Sequence, residues 1–344
     1  MRAALLTGIG KIEIREVPAP SIKSETEVLL KILAVGICGS DIKYYAAGRI
    51  GTDVVHFPFT VGHECAAEVK ETGNKVGRVK PGDRVVVDPA VTCGACDQCL
   101  AGRPNTCRHL RFLGCPGQME GCLVEYAVMP EFNCYPVHNI LKVERAILVE
   151  PLSIGIYAVR LWDGSEASSL AVLGSGPIGL SVMLAAGDKG VRKIYATDRI
   201  DARLRAARKG GALWSGNPDR SDIVAEILEK EPSGLDAVFE CCGDQEALDQ
   251  AIELLKPGGR LAIVGIPEKE RIFFDAHKLR RKEIRILNVR RQNGCIQAAI
   301  DLAERMGESL DFMVTHTFSS EEAREAFETV KNYRDAVIKA VIRP

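Results

Sequence analysis

The run Leu170–Gly187, "LAVLGSGPIGLSVMLAAG", constrains the fold more than any other stretch of the chain. It is almost wholly apolar, carries no charge and is long enough to suggest a membrane helix. Its centre argues against that reading, because Gly174, Gly176, Pro177 and Gly179 place a turn between two apolar runs. What remains is a strand, a glycine-rich turn and a helix. Gly174-x-Gly176-x-x-Gly179 at such a junction permits a tight turn, close approach of backbone to a pyrophosphate, and close packing of helix on strand. The phosphates then sit at a helix N-terminus, where N–H groups and the dipole favour anions.

A second strand, "KIYATD", ends at Asp198, about twenty residues past the last glycine, where dinucleotide folds place a ribose-binding carboxylate. That carboxylate favours NAD, because it repels a 2′-phosphate. Arg199 is either a solvated arginine or the kind of neighbour that accommodates NADP. The expected cofactor-binding set is Gly174, Gly176, Pro177, Ile178, Gly179, Asp198 and Arg199, with Gly265 and Ile266 at the end of "RLAIVGIP". The alternative is a glycine-rich turn in an α/β domain that binds nothing.

The same strand–turn–helix pattern recurs through "RIDARLRAARKGGA", "LDAVFECCG", "DQEALDQAIELLKPGG" and "RLAIVGIP", which implies βαβ units and a parallel sheet. Residues 1 to about 149 differ: "KIEIREV", "EVLLKILAV", "CAAEVKETG", "DRVVVDP" and "LVEYAVMP" alternate with period two and predict a β-rich body. Two amphipathic helices follow in "QAAIDLAERMGESL" and "SSEEAREAFETVKNY", the second with a serine N-cap. A chain of 344 residues suits two domains.

Within the β-rich part, "CGACDQCLAGRPNTC" spaces Cys93, Cys96, Cys99 and Cys107 so that four thiolates can surround zinc with no position left open. Such a site is structural, and supplies folding energy to a lobe poor in apolar residues. The opening "MRAALLTGIGKIEIREVP" lacks the apolar core of a signal peptide, so a cytoplasmic chain with thiols or metal thiolates is expected rather than disulfides. Cys65, Cys115, Cys122, Cys134, Cys241, Cys242 and Cys295 are expected as small buried hydrophobes.

"GICGSD" and "VGHE" bring Cys38, His63 and Glu64, a thiolate, an imidazole and a carboxylate. Three such ligands can hold zinc and leave a fourth position for water or substrate, although a buried histidine alone is more often a hydrogen-bonded core residue.

Taken in order, "GICGSD", "VGHE", the cysteine lobe, "VEPLSIGIYAV", "GSGPIG" with Asp198, and "NVRRQNG" resemble the zinc-dependent medium-chain dehydrogenases over essentially the whole chain. Within that family, "YYAAGRIG" and "EPLSIGIYA" resemble the polyol (sorbitol or L-iditol) type. The resemblance implies an α/β chain with a GroES-like catalytic zinc domain, residues 1–149 and 289–344, and a Rossmann NAD-binding domain, residues 150–288. It implies Cys38, His63 and Glu64 as catalytic-zinc ligands, with Glu150 as water-holder or alternative ligand and Asp41 as hydrogen-bond partner of the histidine. Ser40 is expected to relay the hydroxyl proton, followed by Glu150. Lys43, also a catalytic candidate, stands where many alcohol dehydrogenases carry a relay histidine, a departure that weakens that route.

Tyr44 and Arg290 align with substrate-pocket residues of the polyol enzymes, whereas Arg291 replaces a common tyrosine. Two adjacent arginines suit a carboxylate, so a sugar acid competes with a neutral polyol. The expected reaction is oxidation of a secondary alcohol to a ketone by hydride transfer to NAD. The alternatives are a hexonate dehydrogenase, an L-threonine 3-dehydrogenase, a simple alcohol dehydrogenase, or a zinc-stabilised NAD-binding protein without turnover. With 45 basic against 46 acidic residues, the formal charge of −1 gives no electrostatic reason for nucleic acid or anionic lipid as partner. The resemblance implies a homo-oligomer, tetramer or dimer.

Overall fold

The computed structural model describes residues 1–138, 141–267 and 269–344, which form two compact units: Met1–Glu150 with Ile296–Pro344, and Pro151–Cys295. The Val289 amide donates to the Ile263 carbonyl at 2.9 Å, prolonging the sheet of the second unit past Asn288.

The first unit is built on a seven-stranded sheet. Its central strand, Glu27–Gly36, alternates buried and less buried residues from Glu27 to Ala34, as the two faces of a strand should, although only Glu27 and Lys31 are polar. It pairs antiparallel with Glu64–Thr72 on one side and with Lys339–Arg343 on the other. Glu64 and Val341 both register against Gly36. Three segments remote in sequence thus lie side by side at one end of this sheet. The core beneath joins Val28, Leu30, Ile32, Tyr45 and Phe327, the last two packed edge to face at 5.2 Å.

The second unit holds a six-stranded, wholly parallel sheet in the order Trp214–Gly216, Lys193–Thr197, Ser169–Leu173, Leu235–Glu240, Leu255–Ile263, Arg285–Asn288. Ser169–Leu173 is buried throughout, as strands covered on both faces must be. The order reverses between Ser169–Leu173 and Leu235–Glu240, and ligands of doubly wound sheets bind at the carboxyl ends of strands flanking such a switch. The run Leu170–Gly187 resolves into strand and helix, Ser169–Leu173 and Pro177–Asp188. Among the described residues, no helix is long and apolar enough to cross a membrane.

Candidate active site

Cys38 caps the short helix Gly39–Ala47, directly after the central strand of the first unit. Glu64 begins the neighbouring strand, with His63 just before it, and the sheet register carries them to the same end. Ligand atoms of Cys38, His63 and Glu64 all lie within 4.8 Å of one another, with His63 and Glu64 buried. Gly36 is required here, because a Cβ on it would stand 2.3 Å from Glu64 Oε2.

Asp41 fixes the corner. Its carboxylate accepts from the Cys38 amide at 2.9 Å and the Gly62 amide at 3.1 Å, and lies 3.5 Å from His63 Nδ1. Burial pushes the His63 imidazole down, but the charges of Asp41 and Cys38 outweigh it and hold the ring well above its ordinary value. Glu150, near the start of the helix Val149–Trp162, is also buried. Burial pushes its carboxyl up to about 7, with Glu64 adding to the shift while His63 and Lys339 oppose it.

The sheet also delivers a residue that sequence reading missed. Lys339 is buried, and its Nζ donates to both Glu64 oxygens, at 2.7 and 2.6 Å, and to the Ile37 carbonyl at 3.0 Å. The available signal was a lysine inside the otherwise apolar run "AVIKAVI". Glu64 therefore offers its remaining lone pairs while already anchored by an ammonium. The soft, borderline and hard donors gathered in this corner suit zinc.

The cysteine lobe is a second candidate metal centre. Cys96 and Cys99 lie at the helix Asp97–Leu100, and Cys107 closes the 3-10 turn Pro104–Thr106. Sulfur separations are 3.4 Å for Cys93–Cys107, 3.6 Å for Cys96–Cys99, 3.8 Å for Cys96–Cys107 and 4.0 Å for Cys93–Cys99. A tetrahedron with metal–sulfur bonds of about 2.3 Å has edges of about 3.8 Å. The amides of Cys96 and His109 point at the sulfurs of Cys93 and Cys107, each at 3.4 Å. No disulfide joins any of the twelve cysteines. Cys65, Cys115, Cys122, Cys134 and Cys295 are buried as expected. Cys242 is not: it is exposed, because it lies past the end of its strand in the turn facing Gly174.

In the second unit, a Cβ on Gly179 would lie 1.9 Å from the Gly174 carbonyl, so helix and turn close up only around glycine. One on Gly265 would meet the Gly243 amide at 2.4 Å. Asp198 accepts from the amides of Ser175, at 2.8 Å, and Ile200, at 2.9 Å, which fixes its carboxylate beside the turn. Gly174, Gly176, Asp198 and Gly265 thus gather at the carboxyl ends of the central strands, with Pro177 and Ile178 opening the helix and Ile266 exposed beyond Gly265. This cradle fits a dinucleotide.

Two family models match the chain: the alcohol dehydrogenase GroES-like domain over residues 24–139 and the zinc-binding dehydrogenase over residues 177–305. Sorbitol dehydrogenase of Bacillus subtilis is 36% identical over 100% of this chain and 97% of its own length. The chain belongs to the zinc-dependent medium-chain dehydrogenases. L-idonate 5-dehydrogenase of Vitis vinifera is 32% identical over 95% of this chain and 90% of its own. The crystal structure of a zinc-binding dehydrogenase of Sinorhizobium meliloti bound to NADP superposes with a TM-score of 0.91, at 30% identity over 100% of this chain and 99% of that one.

The other residues this dehydrogenase was expected to use are placed as follows. Ser40 and Lys43 lie half-buried on the helix after Cys38. Tyr44, on the same helix, is buried with its hydroxyl 3.7 Å from Cys115 Sγ, and Asp53 Oδ2 lies 3.7 Å from the same sulfur. Arg290 and Arg291 follow the edge strand of the second unit; Arg290 is exposed and Arg291 half-buried, with a left-handed backbone, φ 54°.

Proposed function

We propose that this chain oxidises a secondary alcohol of a polyol or sugar-derived substrate to a ketone, with zinc and NAD. The observation that carries the reading is the meeting of half-buried Cys38 with buried His63 and Glu64 within 4.8 Å in a chain that also holds a dinucleotide turn. The sorbitol and L-idonate dehydrogenases among its relatives support the substrate class.

In this reading Cys38, His63 and Glu64 hold the catalytic zinc, and Glu150 keeps a water beside it or exchanges with Glu64. Bound there, zinc lowers the pKa of a substrate hydroxyl, and NAD accepts the hydride. Ser40, two residues from Cys38, takes the hydroxyl proton and passes it toward Glu150. Lys43, in place of a relay histidine, leaves that route to Ser40. Tyr44 walls the pocket, and Arg290 with Arg291 binds the polar end of the substrate. Asp198 accepts the ribose hydroxyls, and the turn from Gly174 to Gly179 carries the pyrophosphate. Cys93, Cys96, Cys99 and Cys107 hold a second, structural zinc. A non-catalytic zinc and NAD-binding role would leave the three-ligand site without purpose. The protein works as a homo-oligomer, dimer or tetramer, in the cytoplasm, where its thiols stay reduced.

One feature favours a narrower substrate: the paired Arg290 and Arg291 suit a carboxylate, and hence a hexonate. NADH formation by zinc-replete protein, measured over sorbitol, xylitol, L-iditol, threonine, ethanol and hexonates, tests both readings. Polyol turnover abolished by Cys38→Ser supports the first, and a preference for hexonates the second. Binding of zinc and NAD with no turnover of any of them would count against both.

A further inference from the structure

Arg199 directly follows the ribose-binding candidate Asp198, at the position from which an arginine accommodates a 2′-phosphate in NADP-binding relatives of this fold. Its guanidinium is already engaged. Nε lies 3.1 Å from Asp219 Oδ1, Nη1 3.5 Å from Asp244 Oδ2, and Nη2 2.7 Å from Glu246 Oε2. Three nitrogens meet three separate carboxylates, one from the turn after Trp214–Gly216 and two from the start of the helix Gln245–Leu254. We propose that Asp219, Asp244 and Glu246 reinforce the preference for NAD that Asp198 sets, by holding the Arg199 fork away from a 2′-phosphate. The proposal rests on the dinucleotide reading given above.

The clamp is anchored at both ends. The Asp219 amide donates to Asn217 Oδ1 at 2.9 Å, while Asn217 Nδ2 donates to the Arg199 carbonyl at 3.0 Å. Asp244 caps the helix Gln245–Leu254, accepting from the Glu246 amide at 3.1 Å. A phosphate is recognised by guanidinium through its planar fork of donors. Here Nη2 donates to Glu246, Nε and Nη1 lie within ion-pair range of Asp219 and Asp244, and one cation faces three carboxylates, so the surrounding field repels a further dianion. Arg220, next to Asp219, pairs with Asp201 at 3.0 Å, and Arg203, 3.8 Å from Asp198 Oδ2, lies against the glycine turn, 3.5 Å from where a Gly176 Cβ would stand. Arg203 therefore belongs to the pyrophosphate side rather than to the clamp. Arg199 and its three partners are about half exposed. Exposed ion pairs add little to folding stability, so these contacts can set specificity without being needed for the fold.

The test is equilibrium binding of NADH and NADPH, read from nucleotide fluorescence on the zinc-loaded protein at fixed ionic strength. The proteins compared are wild type, Asp219→Asn/Asp244→Asn/Glu246→Gln, Arg199→Gln, and all four changes together. The triple variant is expected to bind NADPH about tenfold more tightly, as one new charge-assisted hydrogen bond to the phosphate would give. Its NADH affinity should stay within about twofold, and the tighter NADPH binding should vanish when Arg199→Gln is added. In the wild-type background, Arg199→Gln should barely move NADPH affinity. A tenfold loss there would show that Arg199 already reads the phosphate, and would overturn the proposal. So would a triple-variant improvement that survives Arg199→Gln, which would mark a simple charge effect. If the triple variant melts before assay temperature, Glu246→Gln alone serves, with a smaller improvement that still depends on Arg199. Failure of the wild type to bind either nucleotide would instead bring down the dinucleotide reading, and the clamp with it.

Discussion

Lys339→Met isolates the buried ion pair, because methionine keeps most of the volume and none of the charge. The side chains of Lys339 and Glu64 are each 1% exposed, and Nζ lies within 2.7 Å of both carboxylate oxygens. Burial pushes the Lys339 ammonium down, but Glu64 and Cys38 outweigh it and hold its pKa above the ordinary lysine value, so it stays charged in the native protein. Removing it strands the Glu64 carboxylate without a partner. Orphaning one member of a buried pair costs about 3–5 kcal/mol, a large part of the roughly 5–15 kcal/mol that holds a native domain together. Glu64→Gln in the same chain removes the stranded charge, so the double variant should recover most of the loss. Zinc beside Glu64 supplies an alternative counter-charge, and the loss should shrink in zinc-loaded protein. Urea unfolding followed by circular dichroism, with and without metal, measures all of these. A loss below about 1 kcal/mol in metal-free Lys339→Met, within the range of ordinary substitutions, or no rescue by Glu64→Gln, would refute the reasoning.

Three further outcomes are expected. Glu150 in metal-free protein has its carboxyl raised from 4.5 to about 7, mainly by burial, so its proton favours the folded form. That stabilisation is complete below pH 4.5 and is lost as pH rises through about 7; melting points of metal-free protein should fall across this window, and those of Glu150→Gln should lack that component. Gly179→Ala drives a methyl to 1.9 Å from the Gly174 carbonyl and should abolish NADH binding while leaving zinc content intact, as fluorescence titration and metal analysis would show. Cys96→Ser should halve the bound zinc and open the Cys93–Cys107 lobe to proteolysis, because it removes one of four sulfurs spaced 3.4–4.0 Å apart.

What the sequence made legible was local. The dinucleotide turn could be read because strand, glycines, helix and Asp198 follow one another within a single βαβ unit, and the lobe because Cys93, Cys96 and Cys99 are evenly spaced. The three-ligand corner needed more, since nothing between Cys38 and His63 states that they meet. The family resemblance supplied that expectation, and the pairing of Gly36 with Glu64 is its structural cause. Lys339 stayed hidden because its role depends on a strand pairing across most of the chain, and the strands Val314–Ser319 and Lys339–Arg343 were not read at all. Cys242 departs from the expectation for a related reason: where the strand stops is not written locally, and it ends at Glu240, two residues earlier. The partners of Arg199 are not legible in the sequence because Asp219 and the helix start at Asp244 and Glu246 follow different strands, which only the sheet order brings together.

The division of the first unit into two stretches also sets a timetable for synthesis. Residues 151–295 are contiguous and can fold as soon as they leave the ribosome. Glu64 must wait for a lysine 275 residues downstream, a delay on the order of 15–55 s at ordinary translation speeds. Through that interval the Cys38–His63–Glu64 corner lacks both its neighbouring strand and its buried cation. A nascent chain therefore presents these donors to the surrounding solution, open to metal, before the final strand seals them.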